Sequence, residues 1–203
     1  MSSLAIEVGG NDGGDTINLL KQYRYVHVFE PVKELCDKIR NRTNYPEYKN
    51  RVFIHECAVG DYVGEANFNV DMAGDWGCGS ILEFNDNLQE TWPGRTDFVV
   101  NEVRTITVTT LYEHCLNYGI GKIDFLHVDA QGYDLKVLEG LGSKITDVMA
   151  GVVEVCKDKS KALYKDQHTL DDVIKFLSLY EFNVTSMMSN DKYGNEYNVR
   201  FSR

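Results

Sequence analysis

The sequence predicts an α/β fold, a mostly parallel sheet with helices on both faces, and three observations predict it. Short apolar runs alternate with helical patterns from residue 4 to about residue 156, an order that builds parallel βαβ units. A glycine-rich turn, Gly9-Gly10-Asn11-Asp12-Gly13-Gly14, directly follows the first run. Polar groups stand at the ends of five runs: Glu7, Glu30, Glu56, the pair His127 and Asp129, and Glu154. Ligands in such sheets bind outside the carboxyl ends of the strands, so a polar group at every end points to a site rather than to packing.

Residues 4–8 read as a buried strand. Four glycines in the next six residues mark a tight turn where backbone approaches something closely. Asp15 or Thr16 is expected to cap a helix running to about Gln22. Residues 25–29 form the second strand, and Pro31 suits the start of the next helix because its missing N–H costs nothing there. Val32, Leu35, Cys36 and Ile39 make an apolar stripe at helical spacing. Residues 51–56 form the third strand, 57–61 a turn-rich exit, and 64–70 an extended excursion, one arm of a hairpin.

Periodicity then fails over residues 71–98, which hold Gly74, Gly77, Gly79, Pro93, Gly94, Trp76 and Trp92. A long irregular segment in a compact domain is commonly a lid or binding loop, and this one is expected to be mobile. Residues 103–108 are extended and 110–118 helical. Residues 123–129 form the fourth core strand, 132–140 a helix, and 150–155 the fifth strand. Thr169 is expected to cap an amphipathic helix reaching Tyr180. Residues 182–187 and 197–201 close the chain as a hairpin across a turn at 190–195. No repeat, low-complexity tract or linker interrupts the pattern.

The 203 residues suit a single domain, 1–203, and 43% hydrophobic residues supply a core without a staple. The abrupt start fits either a minimal enzyme or a domain of a longer protein, for instance one fused to other glycan-processing domains. The net charge of −10 repels phosphate backbones and argues against a nucleic-acid partner. Basic residues at 33–51 and 157–165 read as solvated helix faces. Cys36, Cys57, Cys78, Cys115 and Cys156 are odd in number and widely spaced, which fits reduced thiols in a cytoplasmic compartment and neither a zinc knuckle nor a redox pair. No apolar run approaches the length of a membrane span.

A glycine turn followed about 20 residues on by an acid that accepts hydrogen bonds from ribose hydroxyls is a nucleoside-binding pattern, and Glu30 occupies that position. Nicotinamide enzymes and methyltransferases share it. The turn here lacks the G-x-G-x-x-G fingerprint, and its acidic character would repel a pyrophosphate. It suits S-adenosylmethionine better, which has no phosphate and carries an amine and a sulfonium.

Four stretches carry a resemblance to a known family: Glu7-Val-Gly-Gly-Asn-Asp-Gly-Gly-Asp-Thr16, Val28-Phe-Glu-Pro31, Glu56-Cys-Ala-Val-Gly-Asp61, and Ile123-Asp-Phe-Leu-His-Val-Asp-Ala-Gln-Gly-Tyr-Asp-Leu-Lys-Val-Leu-Glu-Gly140. Val152-Val-Glu-Val155 falls where a fifth strand is expected. In order and spacing, over about residues 4–187, the chain resembles the FkbM-type methyltransferases. The resemblance implies a class I, Rossmann-like sheet of seven strands with the last antiparallel, and methyl transfer from S-adenosylmethionine to an acceptor oxygen. It also implies that Gly9, Asn11, Asp12 and Gly13, with Glu7 beside them, hold the methionine part. Glu30 would bind the ribose, and Glu56, Cys57 and Ala58 would border the adenine. The fourth-strand block departs from the family's Lys-x-Asp-x-Glu-Gly, reading His127-Val-Asp129-Ala-Gln131-Gly132. A mechanism that needs that lysine or glutamate does not carry over.

An alcohol acceptor must lose a proton as its new bond forms. Asp129 and His127 lie two apart on one strand and share a face. Asp129, which also borders the cofactor, is expected as base or anchor, with His127 as its partner and Glu154 as a second group for acceptor hydroxyls. Asp71, Asp75, Trp76, Ser80 and Gln131, with Trp92, are the acceptor-side candidates. The polar, acidic loop favours a sugar hydroxyl of a glycan or glycoconjugate. A non-sugar natural product, a binding-only relative that lost catalysis, and a nicotinamide-linked oxidoreductase are the alternatives. No set of metal ligands emerges by spacing, so no metal is expected.

Overall fold

In chain order the elements are β1 (Leu4–Val8), α1 (Gly14–Leu20), β2 (Tyr25–Phe29), α2 (Lys33–Arg42), β3 (Val52–His55), β4 (Ala58–Val59), β5 (Gly64–Val70), α3 (Leu88–Thr91), β6 (Glu102–Thr109), α4 (Leu111–Tyr118), β7 (Phe125–Val128), α5 (Asp134–Glu139), β8 (Ala150–Cys156), α6 (Leu170–Leu179), β9 (Asn183–Ser189) and β10 (Glu196–Ser202). They are seen in a computed structural model that describes residues 3–71, 74 and 76–203. Seven strands form the main sheet in the order β3-β2-β1-β7-β8-β10-β9. Neighbours from β3 to β8 are parallel, while β10 runs antiparallel to both β8 and β9. The chain builds outward from β1 in one direction and from β7 in the other, so the switch point lies between them.

The central strands are apolar on both faces, as a doubly covered sheet requires. Ile6, Val8, Leu126, Val128, Val153 and Val155 pack with Leu111, Leu135, Leu138, Val173 and Leu177 of α4, α5 and α6. On the opposite face Ala5 and Val26 meet Leu19 and Leu20 of α1. Full burial of one such aliphatic side chain contributes about 1.5–3 kcal/mol.

Helix starts follow local chemistry. Thr110 accepts the Glu113 N–H at 3.1 Å, and Thr169 with Asp172 closes a capping box on α6. At α1 the expected cap moves. Gly13 holds the N-cap position at φ 86°, and Asp12 Oδ1 accepts the Gly14 N–H at 3.1 Å. Asp15 and Thr16 lie inside the helix, and Thr16 instead donates to Glu7 at 2.5 Å.

The excursion after β3 also differs from expectation. β5 and β6 pair with each other antiparallel from Gly64↔Val108 to Val70↔Glu102, and β4 adds to β6 in parallel. They make a separate sheet of three strands, packed through Ala58, Phe68, Val70, Ile106 and Val108 against Val32 and Leu35. Several described residues of the irregular stretch between β5 and β6 contact the rest of the fold. Asn69 bridges to Ser80, and Phe84 to Tyr164. Asn85 donates to the carbonyls of Ala162 at 3.0 Å and Tyr164 at 3.3 Å. No helix among the described residues is long and apolar enough to cross a membrane.

Candidate active site

A cleft opens at the carboxyl ends of β1, β2 and β7, at the switch in strand order. It encloses about 630 Å³ of space continuous with solvent. Its floor is the glycine turn. Gly9 sits at φ 87°, and a Cβ there would lie 1.9 Å from the Asp129 carbonyl oxygen, so only glycine lets the β1 and β7 tips close up. The N–H groups of Gly9 and Gly10 both donate to the Phe29 carbonyl at 3.0 Å, tying the turn to the end of β2.

Glu30 is held from two sides. The Asn11 N–H donates to its Oε2 at 2.9 Å and the Val32 N–H to its Oε1 at 2.8 Å. Burial pushes its carboxyl up to about 7, against the opposing pull of those two N–H groups and with help from Asp129. Each oxygen keeps a lone pair, and Glu30 lines the cleft. Beside it Pro31, Val32, Leu35, Ala58, Val59 and Phe68 form an apolar wall.

Across the cleft stands an acidic group. Gln131, at φ 49°, donates its side-chain amide to Asp129 Oδ1 at 2.6 Å and to Glu154 Oε2 at 3.3 Å. The Tyr164 hydroxyl donates to the Gln131 side-chain oxygen at 2.7 Å, and Asn190 donates to Glu154 Oε1. Burial, reinforced by the charges of Asp129 and Glu196 and by a hydrogen bond with Asp129, raises the Glu154 carboxyl well above the usual range. Two carboxyls this close favour sharing a proton over double ionisation. Below them Asp134 accepts the Ala130 N–H at 2.7 Å and the Gly132 N–H at 2.9 Å, fixing the loop that presents Asp129. Burial pushes Asp134 up to about 7 and Glu196 up to about 8.

Of the residues expected to hold the cofactor, Gly9, Asn11, Glu30, Cys57, Ala58 and Asp129 line this cleft. The others stand apart from it. Glu7, 1% exposed, is turned toward Thr16 of α1, because successive side chains on a strand point to opposite faces. Asp12 pairs with Arg42 at 2.5 Å and Glu56 with Arg40 at 3.4 Å. Gly13 packs on Ile39.

The acceptor-side and catalytic expectations divide similarly. Trp76 and Gln131 line the cleft. The Asp71 carboxylate is occupied by the N–H groups of Gly74 at 2.8 Å and Val99 at 3.0 Å. Ser80 donates to the Gln131 carbonyl at 2.6 Å and is buried. Asp75 lies outside the described residues. Trp92, 2% exposed, packs with Leu163 and Tyr164. His127 Nδ1 lies 4.0 Å from Glu7 Oε1, and among the described contacts no hydrogen bond joins it to Asp129. Glu154 meets Asp129 behind the cleft, directly and through the Gln131 amide.

Sequence reasoning missed the apolar wall, Tyr133 at the cleft edge, and the Tyr164–Asn190 support. Val32 could have been found, since it follows Glu30-Pro31 at the N-cap of α2. Tyr164 stands in an unpatterned segment and Asn190 in the closing hairpin's turn, both far from β7 in sequence and with no local signal for the site.

The architecture and the position of its cleft are those of an α/β methyltransferase fold. The chain is similar to an rRNA methylase from Streptococcus thermophilus, with TM-score 0.55 and 10% identity over 100% of this chain and 87% of that one. It is similar to magnesium protoporphyrin IX methyltransferase from Synechocystis PCC 6803, solved with bound S-adenosylmethionine, with TM-score 0.53 and 10% identity over 100% and 70% of the two chains. It also resembles the TrmK protein of M. capricolum in complex with S-adenosylhomocysteine, with TM-score 0.53 and 8% identity over 99% and 62%. A search of curated proteins finds no sequence match. Residues 7–184 match the methyltransferase FkbM domain, and the chain belongs to that family.

Proposed function

We propose that the protein is an S-adenosylmethionine-dependent O-methyltransferase acting on a sugar hydroxyl of a glycan or glycoconjugate. The observation that carries this reading is the pairing of Glu30 and Asp129 on opposite sides of one cleft at the switch point. The residues fit the cofactor. Glu30, oriented by Asn11 and Val32, offers lone pairs to ribose hydroxyls, and the wall of Val32, Leu35, Ala58 and Phe68 suits a purine. The turn at Gly9 and Asn11 lies next to Asp129, where a carboxylate favours a cationic group. When bound, S-adenosylmethionine supplies an electrophilic methyl group.

The chain's own contribution is alignment, exclusion of water and management of one proton. Asp129 opens to the cleft and takes the proton of the acceptor hydroxyl, while Gln131 fixes the angle of its carboxylate. Glu154, kept protonated by burial, donates toward Asp129 and holds it from behind. This geometry favours Asp129 over His127 as the base. The Trp76 ring, with the Lys38 ammonium 4.6 Å from its centroid, borders the cleft where a sugar face can stack.

Calorimetric titration with S-adenosylhomocysteine, followed by transfer of a labelled methyl group to a panel of glycans and small alcohols, tests the reading. Cofactor binding with methylated sugar product supports it. Binding with label on a non-sugar alcohol alone replaces the acceptor class. Binding without transfer to any acceptor leaves a cofactor-binding domain, and no binding overturns the reading entirely.

A further inference from the structure

Three histidines that the cleft does not use converge elsewhere. His27 of β2, His55 of β3 and His114 of α4 bring one ring nitrogen each to within 4.8 Å of one another. His55 Nε2 is 3.2 Å and His114 Nε2 2.9 Å from the same atom, His27 Nδ1. Both contacts have hydrogen-bond geometry, so the nitrogens face each other and the rings do not merely stack.

A neutral imidazole carries one N–H and one bare nitrogen. His27 Nδ1 has a single in-plane position, occupied by a proton or by a lone pair. It therefore donates to, or accepts from, one neighbour only, and the second contact is left unmatched. Leaving such a buried polar contact unsatisfied is costly. His27 and His114 are 4% and 5% exposed, so water offers little relief.

We propose that His27, His55 and His114 bind a divalent transition-metal ion, zinc being the natural occupant, through His27 Nδ1, His55 Nε2 and His114 Nε2. A cation at the common point accepts all three lone pairs at once and removes the mismatch. Zinc–imidazole bonds of about 2.0–2.1 Å in a tetrahedral arrangement separate the nitrogens by about 3.3–3.4 Å. The two separations from His27 Nδ1 need to open by only a few tenths of an ångström, and the His55–His114 pair lies within 4.8 Å. No carboxylate or thiol belongs to the group among the described residues. That donor set selects against magnesium and calcium, which take oxygen ligands, and suits zinc.

Neutral imidazole is the form that ligates metal. A surface groove lined by Tyr25, Phe53, Tyr118 and Asp124 reaches His27, the member of the cluster nearest to solvent on that side. The ion would join two strands to a helix directly behind Phe29. That ring lies 4.7 Å from both His55 and His114 and also lines the cofactor cleft.

The test uses the full chain freed of metal with a chelator. Zinc chloride is titrated calorimetrically with magnesium chloride as control, and imidazole resonances of ¹⁵N-histidine protein are followed. The expected result is one zinc per chain, no magnesium uptake, and shifts confined to the ring nitrogens of these three histidines. His114→Gln and His55→Gln should each weaken zinc at least about tenfold. The ¹⁵N readout decides the matter in the native protein should either variant fail to fold. Cobalt(II) should give tetrahedral visible bands without thiolate charge transfer. Unshifted resonances at His27, His55 and His114 under saturating zinc, full zinc affinity in folded variants, or thiolate bands would each overturn the assignment.

Discussion

The side-chain amide of Gln131 donates to Asp129 Oδ1 at 2.6 Å. The same amide reaches Glu154 at 3.3 Å, so one neutral side chain donates to both members of the carboxyl pair. Replacing Asp129 by Asn keeps its shape and removes its charge. A positioned base contributes about 10²- to 10⁴-fold, so Asp129→Asn should cut kcat at least about 100-fold with melting temperature unchanged. Release of S-adenosylhomocysteine in the presence of the best acceptor measures it. Near-normal turnover would transfer the reaction to positioning alone.

Glu30 bridges the Asn11 and Val32 N–H groups. Glu30→Ala strands both donors and removes the ribose acceptor. Cofactor affinity should fall by about 1–3 kcal/mol, the value of a hydrogen bond to a charged group. Calorimetry with S-adenosylhomocysteine checks this, with circular dichroism to verify the fold. Unchanged affinity would remove Glu30 from the cofactor site.

Glu7 sets a pH dependence. Burial raises its carboxyl from 4.5 to about 8, the Thr16 hydroxyl pulling the other way. Between those values the folded state holds a proton that the unfolded chain has released, so stability falls as pH rises through the window. Buried Glu30, Asp134 and Glu196, also raised, add slopes of the same sign. His27, His55 and His114, lowered by burial, add a slope of opposite sign below about pH 6.5, so the cofactor-free protein should melt higher at about pH 6.5 than at pH 8. Glu7→Gln, which still accepts from Thr16, should flatten that decline and gain most at pH 8. Parallel calorimetric profiles for both proteins would contradict the assignment.

The two tryptophans should separate by phenotype. Trp92 is 2% exposed and its Nε1 has no partner among the described residues. Trp92→Ala should destabilise by about 3–5 kcal/mol. Trp92→Phe, which deletes the unsatisfied donor, should cost less than about 1.5 kcal/mol, the range of tolerated hydrophobic swaps. Trp76→Ala should lower the denaturation midpoint less than Trp92→Ala, since Trp76 is half-buried against the Phe68 cluster, and should weaken ligand binding, because Trp76 lines the cleft. A large stability loss in Trp76→Ala would make it a second structural pin.

Local chemistry determined much of this protein in the sequence. The core strands, the glycine turn that only small residues can make, the Thr110 and Thr169 helix starts, and Glu30 at the second strand end are each encoded within a few residues. Period and capping are short-range properties, and a strand's tip in a parallel sheet is a place where ligands gather. The FkbM resemblance lay in the same short blocks. Tertiary structure decided the rest. Whether Glu7 or Val8 faced the cleft depended on the pleat and on which helix covered each face. Gln131 met Glu154 because β7 and β8 are neighbours, and Tyr164 joined them from a segment without pattern. Trp76 and Trp92 look alike in the sequence, yet one meets the cleft and the other the core. The three histidines stand at 27, 55 and 114, a spacing that carries no motif. They meet because β2 pairs with β3 and α4 packs across both, a juxtaposition that long-range pairing alone can create.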